Sequence, residues 1–217
     1  MTPSHGGSVQ PRVRPTRKGN RAQVRGDRTR ATIIDETIRC VIEEGFAAAS
    51  AKHIAERAGV TWGVIQYHFG DRNGLLSAVV AHGYEEFRDT IESATVPDGP
   101  PDQRVAAVVT AAWAAFSSPE SRASLEILIA ARAGRDRSET TELEAMARDM
   151  RRLGGVLVGD TPDGRTADLV IGEVLWATLR GLVLAQMLSH GAVDSSRERA
   201  VLVDLITSFI DGGPPPA

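Results

Sequence analysis

Gln66 carries the most specific chemistry in this chain. Its carboxamide offers one donor and one acceptor, the pattern that matches N6 and N7 on adenine's major-groove edge. Val64, two residues earlier, can pack against a thymine methyl. Catalytic chemistry finds no comparable arrangement. His53, His68, His82 and His190 are scattered without metal-ligand spacing, and no glycine-rich phosphate loop is present. Ser189, His190 and Asp194 resemble a triad only as letters, because adjacent residues on a helix point apart. The single Cys40 rules out an intramolecular disulfide, and beside Val41 and Ile42 it reads as a small buried apolar residue.

The element that must position Gln66 is the stretch from Ser50 to Phe69, which reads as two short helices around a tight turn. Ser50 can cap a helix running to about Ala58. Gly59 then stops it by adopting positive φ, and Val60 plugs the angle between the helices. Thr61 is placed as the N-cap of a second helix ending at Phe69. Two helices joined by a three- to four-residue turn containing Gly form a helix-turn-helix, whose second helix lies in the DNA major groove. A helix from Arg28 to Glu44, with Ile34, Ile38, Val41 and Ile42 as its buried stripe, precedes the pair. Another, capped by Asp71 and running to near Ser93, follows it.

Gly45-Phe46, Ser50, Ile54-Ala55, Ala58-Gly59-Val60-Thr61, Gly63, Ile65, His68-Phe69 and Leu75-Leu76 stand in one ungapped register. This stretch, about a quarter of the chain, resembles the DNA-binding domain of the tetracycline-repressor (TetR) family of bacterial transcription regulators. Gln66 occupies the position where that family usually has Tyr, with Tyr67 one residue later, and Arg72 stands where Lys is common. Carried over by position, the resemblance implies base contacts from Trp62, Val64, Gln66, Tyr67 and His68. It implies phosphate contacts from Lys52, Thr61 and Arg72, which fix docking without reading sequence. Gly63 would let the helix backbone approach the DNA, while Ile65 and Phe69 would point into the core.

The chain has 217 residues, 42% hydrophobic but only 5% aromatic, as expected of an aliphatic, all-α protein. Its net charge of −3 hides an asymmetry. Residues 1–30 carry eight basic side chains against Asp27 alone, +7, which leaves −10 for the rest. A basic arm on an acidic body suits a DNA-binding tail. Residues 1–26, rich in Pro, Gly, Ser and Arg, read as a disordered arm, with no apolar stretch to make a signal peptide. Residues 27–82 form the three-helix helix-turn-helix domain with the start of the fourth helix. By the same resemblance, residues 83–211 would form a helical effector-binding and dimerisation domain, with 212–217 read as a disordered tail.

Five helical stretches follow a Pro/Gly break at Thr95–Pro101. Asp102–Ser117 places Val105, Val109, Ala112 and Phe116 on one face. Ser118-Pro119-Glu120 caps a helix carrying Leu125, Leu128 and Ile129 to Arg135. Ser138–Val158 is next, then the nearly all-apolar Thr166–His190. Last comes a helix opened by a capping box at Ser195 and Glu198. Thr166–His190 is long enough to span a bilayer, but Glu173 and Arg180 near its middle make a core or interface helix the better reading. In the resembled family the last two long helices pair with their symmetry mates. By that likeness Leu175, Leu182, Leu202, Leu205, Ile206 and Phe209 form a homodimer interface. A ligand cavity would draw on Trp113, Phe116, Leu128, Met146, Met150, Trp176 and Arg180. Arg180 needs a partner in so apolar a segment, either an anionic ligand or Glu173 two turns earlier.

The resemblance therefore implies a cytoplasmic, homodimeric regulator, in the first instance a repressor, which binds a palindromic double-stranded DNA operator. A small-molecule effector would release it, with no metal, cofactor or membrane involved. Two other classes are an enzyme fused to a DNA-binding module and an architectural DNA-binding protein. Absent catalytic spacing weighs against the first, and the acidic body, which repels DNA, against the second.

Overall fold

The structure, a computed structural model, describes residues 17–131, 148, 152, 164–189 and 194–212, and among these every regular element is helical. In chain order they are α1 (Arg17–Glu44), a short 3-10 turn (Phe46–Ala48), α2 (Ala51–Arg57), α3 (Trp62–Phe69), α4 (Arg72–Glu92), α5 (Pro101–Ser117), α6 (Pro119–Ala130), α7 (Gly164–Leu188) and α8 (Ser196–Gly212). Of the helix expected over 138–158 only residues 148 and 152 are described; Met146 and Met150 lie outside the described residues, as do residues 1–16 and 213–217.

Helix α1 starts at Arg17 rather than Arg28, so residues 17–26 are helical where the sequence suggested a disordered arm. Arg, Gln and Ala are good helix formers. This stretch shows no hydrophobic period because it has nothing to bury, and its described side chains, apart from a half-buried Gly26, are exposed. Further along, Ile33, Ile34, Thr37, Ile38, Cys40 and Val41 are buried. The hydroxyl of Thr37 donates to the Ile33 carbonyl at 2.7 Å, which satisfies a buried polar group within the helix.

Two hydrophobic clusters divide the molecule. The first joins α1, Ile54 and Ala55 of α2, Ile65 of α3 and Leu75, Leu76, Val79 and Val80 of α4. It also takes in Ala123, Ile127 and Leu128 of α6. The helix-turn-helix core is thus completed by a helix that the sequence assigned wholly to the effector half. On α6, Ile129 is exposed and Ile127 takes the core position expected of it. Helices α4 and α6 cross closely at Gly83, where a Cβ would lie 2.1 Å from Ser124 Oγ and 2.7 Å from the Glu120 carbonyl oxygen. Only Gly fits there.

The second cluster packs Phe87 and Ile91 of α4 against Val105, Val108, Val109, Ala112, Ala115 and Phe116 of α5. Ile171, Leu175, Leu179 and Val183 of α7 and Leu202 and Ile206 of α8 close it. The four α7 residues recur every fourth position, one stripe of a helix. Val170–Leu188 is long and apolar enough to cross a membrane, yet this stripe is committed to packing within the chain.

The helix caps follow the sequence with two exceptions. Ser50, Asp71 and Ser118 accept hydrogen bonds from the backbone N–H groups of His53 (3.3 Å), Gly74 (2.8 Å) and Ser121 (3.1 Å). Thr61 has N-cap dihedrals, but its side chain makes no capping bond. At α8, Asp194 rather than Ser195 takes the capping bond, accepting from the Ser196 N–H at 2.9 Å, and the buried Ser195 hydroxyl has no partner among the described residues.

Candidate nucleic-acid interface and effector cavity

Helices α2 and α3 meet at Gly59, whose φ of 65° lets the chain reverse. The Val60 N–H donates to the Ala55 carbonyl at 3.0 Å, and the Val60 side chain packs half-buried against the core. Ile65 is fully buried and anchors α3. Its rotation fixes which side chains face outward. Tyr67 is 85% exposed and Trp62 39%, large apolar surfaces facing water, and Gln66 is exposed between them. A Cβ on Gly63 would meet only Thr61 Oγ1, so this face of α3 is open.

Val64 and His68 differ from the expected set. Val64 is half-buried against the core rather than presented outward. His68 is half-buried, edge-on to Tyr67 at 5.0 Å between ring centroids, and its ring faces Gly26 of α1. Both line an open cleft whose far wall is Arg25, Gly26 and Thr29. The sequence reading missed that wall because it started the helix at Arg28, too late to place Arg25 and Gly26 on it. The Arg30 guanidinium, 5.2 Å from the Phe69 ring, ties α1 to the end of α3.

The expected phosphate contacts also divide. Lys52 is almost fully exposed, with Glu56 3.9 Å away on the next turn. The free hydroxyl of Thr61 sits at the N-terminus of α3, where unpaired amides favour an anion. Arg72, by contrast, is engaged inside the domain. Its Nε donates to the Ala49 carbonyl at 2.7 Å and its guanidinium lies 4.8 Å from the Phe46 ring.

An ionic cluster joins α1 to α2. His53 Nε2 lies 2.9 Å from Glu44 Oε2, and Arg57 reaches Glu43 at 2.8 Å, Glu36 at 3.6 Å and the other oxygen of Glu44. Hydrogen bonds from His53 and Arg57 hold the Glu44 carboxyl below the usual carboxylate range. Burial, then the Glu44 charge, pushes the Cys40 thiol up. Donor atoms of Cys40, Glu44 and His53 lie within 4.8 Å of one another, a proximity that sequence spacing does not reveal. Arg57 already supplies the positive charge there, so the cluster reads as a clamp between helices rather than a metal centre.

In the C-terminal half, a narrow cavity lies between α4, α5, α6 and α7. Phe116, Leu128, Trp176 and Arg180, all expected at a ligand pocket, line it. Tyr84, Ser121 and Ser124 join them, and the sequence did not flag these because Ser and a lone Tyr carry no periodic signal. Trp113 does not line the cavity; it packs against the α5–α8 core under the Arg199 guanidinium, 4.6 Å from its ring. Arg180 lies 5.3 Å from the Trp176 ring.

An apolar groove runs along the outside of α7 and α8, lined by Val170, Ile171, Val174, Leu202, Leu205, Ile206 and Phe209. Of the expected interface residues, Leu175, Leu202 and Ile206 belong to the chain's own core, and Leu182 packs half-buried beside it. Leu205 is 63% exposed, and Val170, Val174 and Val201 join it outside. The helical period was legible, but one turn of α8 supplies both core and surface.

These features define an all-helical protein with a helix-turn-helix at its N-terminus and a cavity-bearing helical half behind it. Residues 33–79 match the bacterial regulatory proteins of the tetR family. An HTH-type transcriptional regulator BetI of Klebsiella pneumoniae (strain 342) is 38% identical over 82 residues, 37% of this chain and 42% of that protein. The BetI regulator of Escherichia coli O139:H28 is 37% identical over the same shares. The chain thus spans about two fifths of the curated relatives it matches. Among solved structures, a tetR-family regulatory protein from Rhodococcus RHA1 superposes with a TM-score of 0.62 at 18% identity, over 87% of this chain and 98% of that one. The multidrug binding protein EbrR, complexed with imidazole, gives 0.58 at 24% identity, over 88% and 92%. The fold is shared across both halves.

Proposed function

We propose that this chain is a ligand-responsive transcriptional regulator, acting as a repressor, which binds a palindromic operator as a homodimer in the cytoplasm. The observation that carries this reading is the outward face of α3. Trp62, Gln66 and Tyr67 stand in solvent on a helix whose opposite side is anchored by Ile65, and a large exposed aromatic surface marks a binding face. In the major groove, Gln66 would read adenine, while Lys52, Thr61 and the amides at the start of α3 would hold phosphates. Val64 and His68 would act from the side, through the cleft shared with α1.

The α7–α8 groove supports the dimer, since exposed aliphatic side chains over a semi-buried floor suit a symmetric contact with a second copy. The cavity supports an effector. An effector releases DNA only to the extent that it binds two conformations unequally. Helix α6 is placed to feel that difference, because Leu128 lines the cavity and also belongs to the helix-turn-helix core.

The test is footprinting of the purified protein on the DNA flanking its own gene. Protection of one short inverted repeat, with two-fold symmetric contacts, supports the proposal. Broad coating of unrelated DNA, or no binding at low salt, overturns it.

A further inference from the structure

The cavity between α4, α5, α6 and α7 has two polar features that the described residues of the chain do not satisfy. The Ser121 hydroxyl is buried, only 5% of the residue being exposed, and has no hydrogen-bond partner. Leaving such a group unpaired is costly, and native proteins rarely do so without a reason. The second feature is Arg180. Among the described residues no carboxylate pairs with its guanidinium, which rests on the face of Trp176 at 5.3 Å. A cation among Val80, Phe116, Leu125 and Leu128 gains something from the indole, but less than from an anion held in its planar fork.

Three aromatic rings, Tyr84, Phe116 and Trp176, share the walls with these aliphatic side chains. Phe116 meets Trp176 edge to face at 5.3 Å and Phe87 at 5.1 Å, and Tyr84 closes the α4 side. Such rings favour a flat conjugated body over a flexible chain. The cavity is about 20 Å³, room for roughly one water, so a ligand must part the helices to enter. A ligand that opens the cavity works against the tight Gly83–Ser124 crossing of α4 and α6.

From these observations we infer that the effector of this protein is a small aromatic carboxylate, its anion paired with Arg180, its ring against Phe116 and Trp176, and a polar substituent reaching Ser121. The inference rests on the reading of this cavity as the effector site. It sets the chain apart from a pocket built for cationic dyes, which would meet Arg180 as a like charge.

The experiment uses the full-length protein and three probes of one shape, 1-naphthoate, 1-naphthalenemethanol and 1-naphthylmethylammonium, with octanoate as an aliphatic control. Affinity is read from tryptophan fluorescence and from the shift in melting temperature. Naphthoate is expected to bind about tenfold or more tighter than the alcohol, as a charge-assisted pair in an apolar site should. The ammonium and octanoate should bind more weakly still. Arg180→Met should remove the preference for naphthoate while leaving the alcohol unchanged, and Arg180→Lys should restore part of it. Should Arg180→Met fail to fold, Arg180→Lys and Ser121→Ala in a folded background carry the same comparison. Preference for the ammonium, the alcohol or octanoate overturns the carboxylate assignment and leaves a ligand-responsive regulator standing. Binding of none of the four overturns the effector cavity itself.

Discussion

The carboxylate of Glu126 on α6 accepts a hydrogen bond from the backbone N–H of Phe46 at 2.6 Å, eighty positions away in the chain. Phe46 follows Gly45, whose φ of 85° turns the chain out of α1 and leaves that amide unable to bond within a helix. The same Phe46 ring lies under Arg72, whose Nε holds the Ala49 carbonyl just before α2. One contact from the effector half thus braces the turn from which the helix-turn-helix is hung.

Glu126→Ala should therefore strand a part-buried N–H, costing about 1–3 kcal/mol of stability. It should also loosen the relation between the two halves. The expected outcome is a lower melting temperature, together with operator binding that responds less to effector. Titrations of operator with and without effector, on both proteins, check it. An unchanged effector response with unchanged stability would show that Glu126 braces nothing.

Lys52 and Arg72 should behave differently, although both match positions that meet phosphates. Lys52→Ala should weaken all DNA sequences alike and lower the slope of log affinity against log salt by about one unit for each lost contact. Arg72→Ala should cost stability first, because its Nε serves the Ala49 carbonyl. Salt titrations paired with melting curves distinguish them. Equal effects of both substitutions on the salt slope, without loss of stability, would return Arg72 to the phosphate backbone.

The helix-turn-helix was legible because its signals are local. Ser50, Gly59, Ile65 and Asp71 each act through neighbours within a few residues, and the structure places all four as their types require. Long-range facts were not legible. No local pattern says that Ile127 of α6 completes the core of α1, or that Glu126 seeks the amide of Phe46. Periodicity identified α8 as amphipathic but not which apolar side chains face inward, because Leu202 and Leu205 lie on adjoining flanks of one stripe. Residues 17–26 were misread for the opposite reason: they are helical without any hydrophobic period to mark them.

The distinction within α8 gives a direct test. Leu205→Asp places a charge on an exposed position, so the monomer should stay folded while any dimer through this groove dissociates. Ile206→Asp places the same charge in the chain's own core and should unfold it, at several kcal/mol for an unpaired buried carboxylate. Sedimentation and circular dichroism on both variants read the result. A Leu205→Asp protein that sediments as an intact dimer moves the interface elsewhere.

The Glu44 clamp makes stability depend on acid. Its carboxyl is depressed in the folded state, chiefly by the His53 hydrogen bond and then by Arg57. A depressed acid contributes stability above its unfolded pKa, about 4.3 for a glutamate. That contribution is lost as pH falls through the lower folded value. Glu44→Gln should therefore melt below the parent protein at pH 7, with the gap closing as pH drops below about 4. Melting curves from neutral to acid pH decide it. A gap that persists unchanged into strong acid would mean that the clamp's charge does not matter.

Gln66 and Ile65 are neighbours that must behave in opposite ways. Ile65 is fully buried and Gln66 is exposed, so the rotation of α3 is fixed by one and read out by the other. Ile65→Ala empties a packed site and should cost about 2–5 kcal/mol of stability. It should relax preference at no single base, because the side chain touches none. Gln66→Ala removes only an exposed amide and should leave the melting temperature nearly unchanged. Its cost should fall on one adenine position in each half-site, at about 1–3 kcal/mol for a lost bidentate pair. Selection of operators from a randomised pool, run on both variants beside melting curves, measures the two effects separately. Altered base preference in Ile65→Ala with unfolding of Gln66→Ala would mean that α3 meets DNA through another face, and that Trp62 and Tyr67 do not enter the groove.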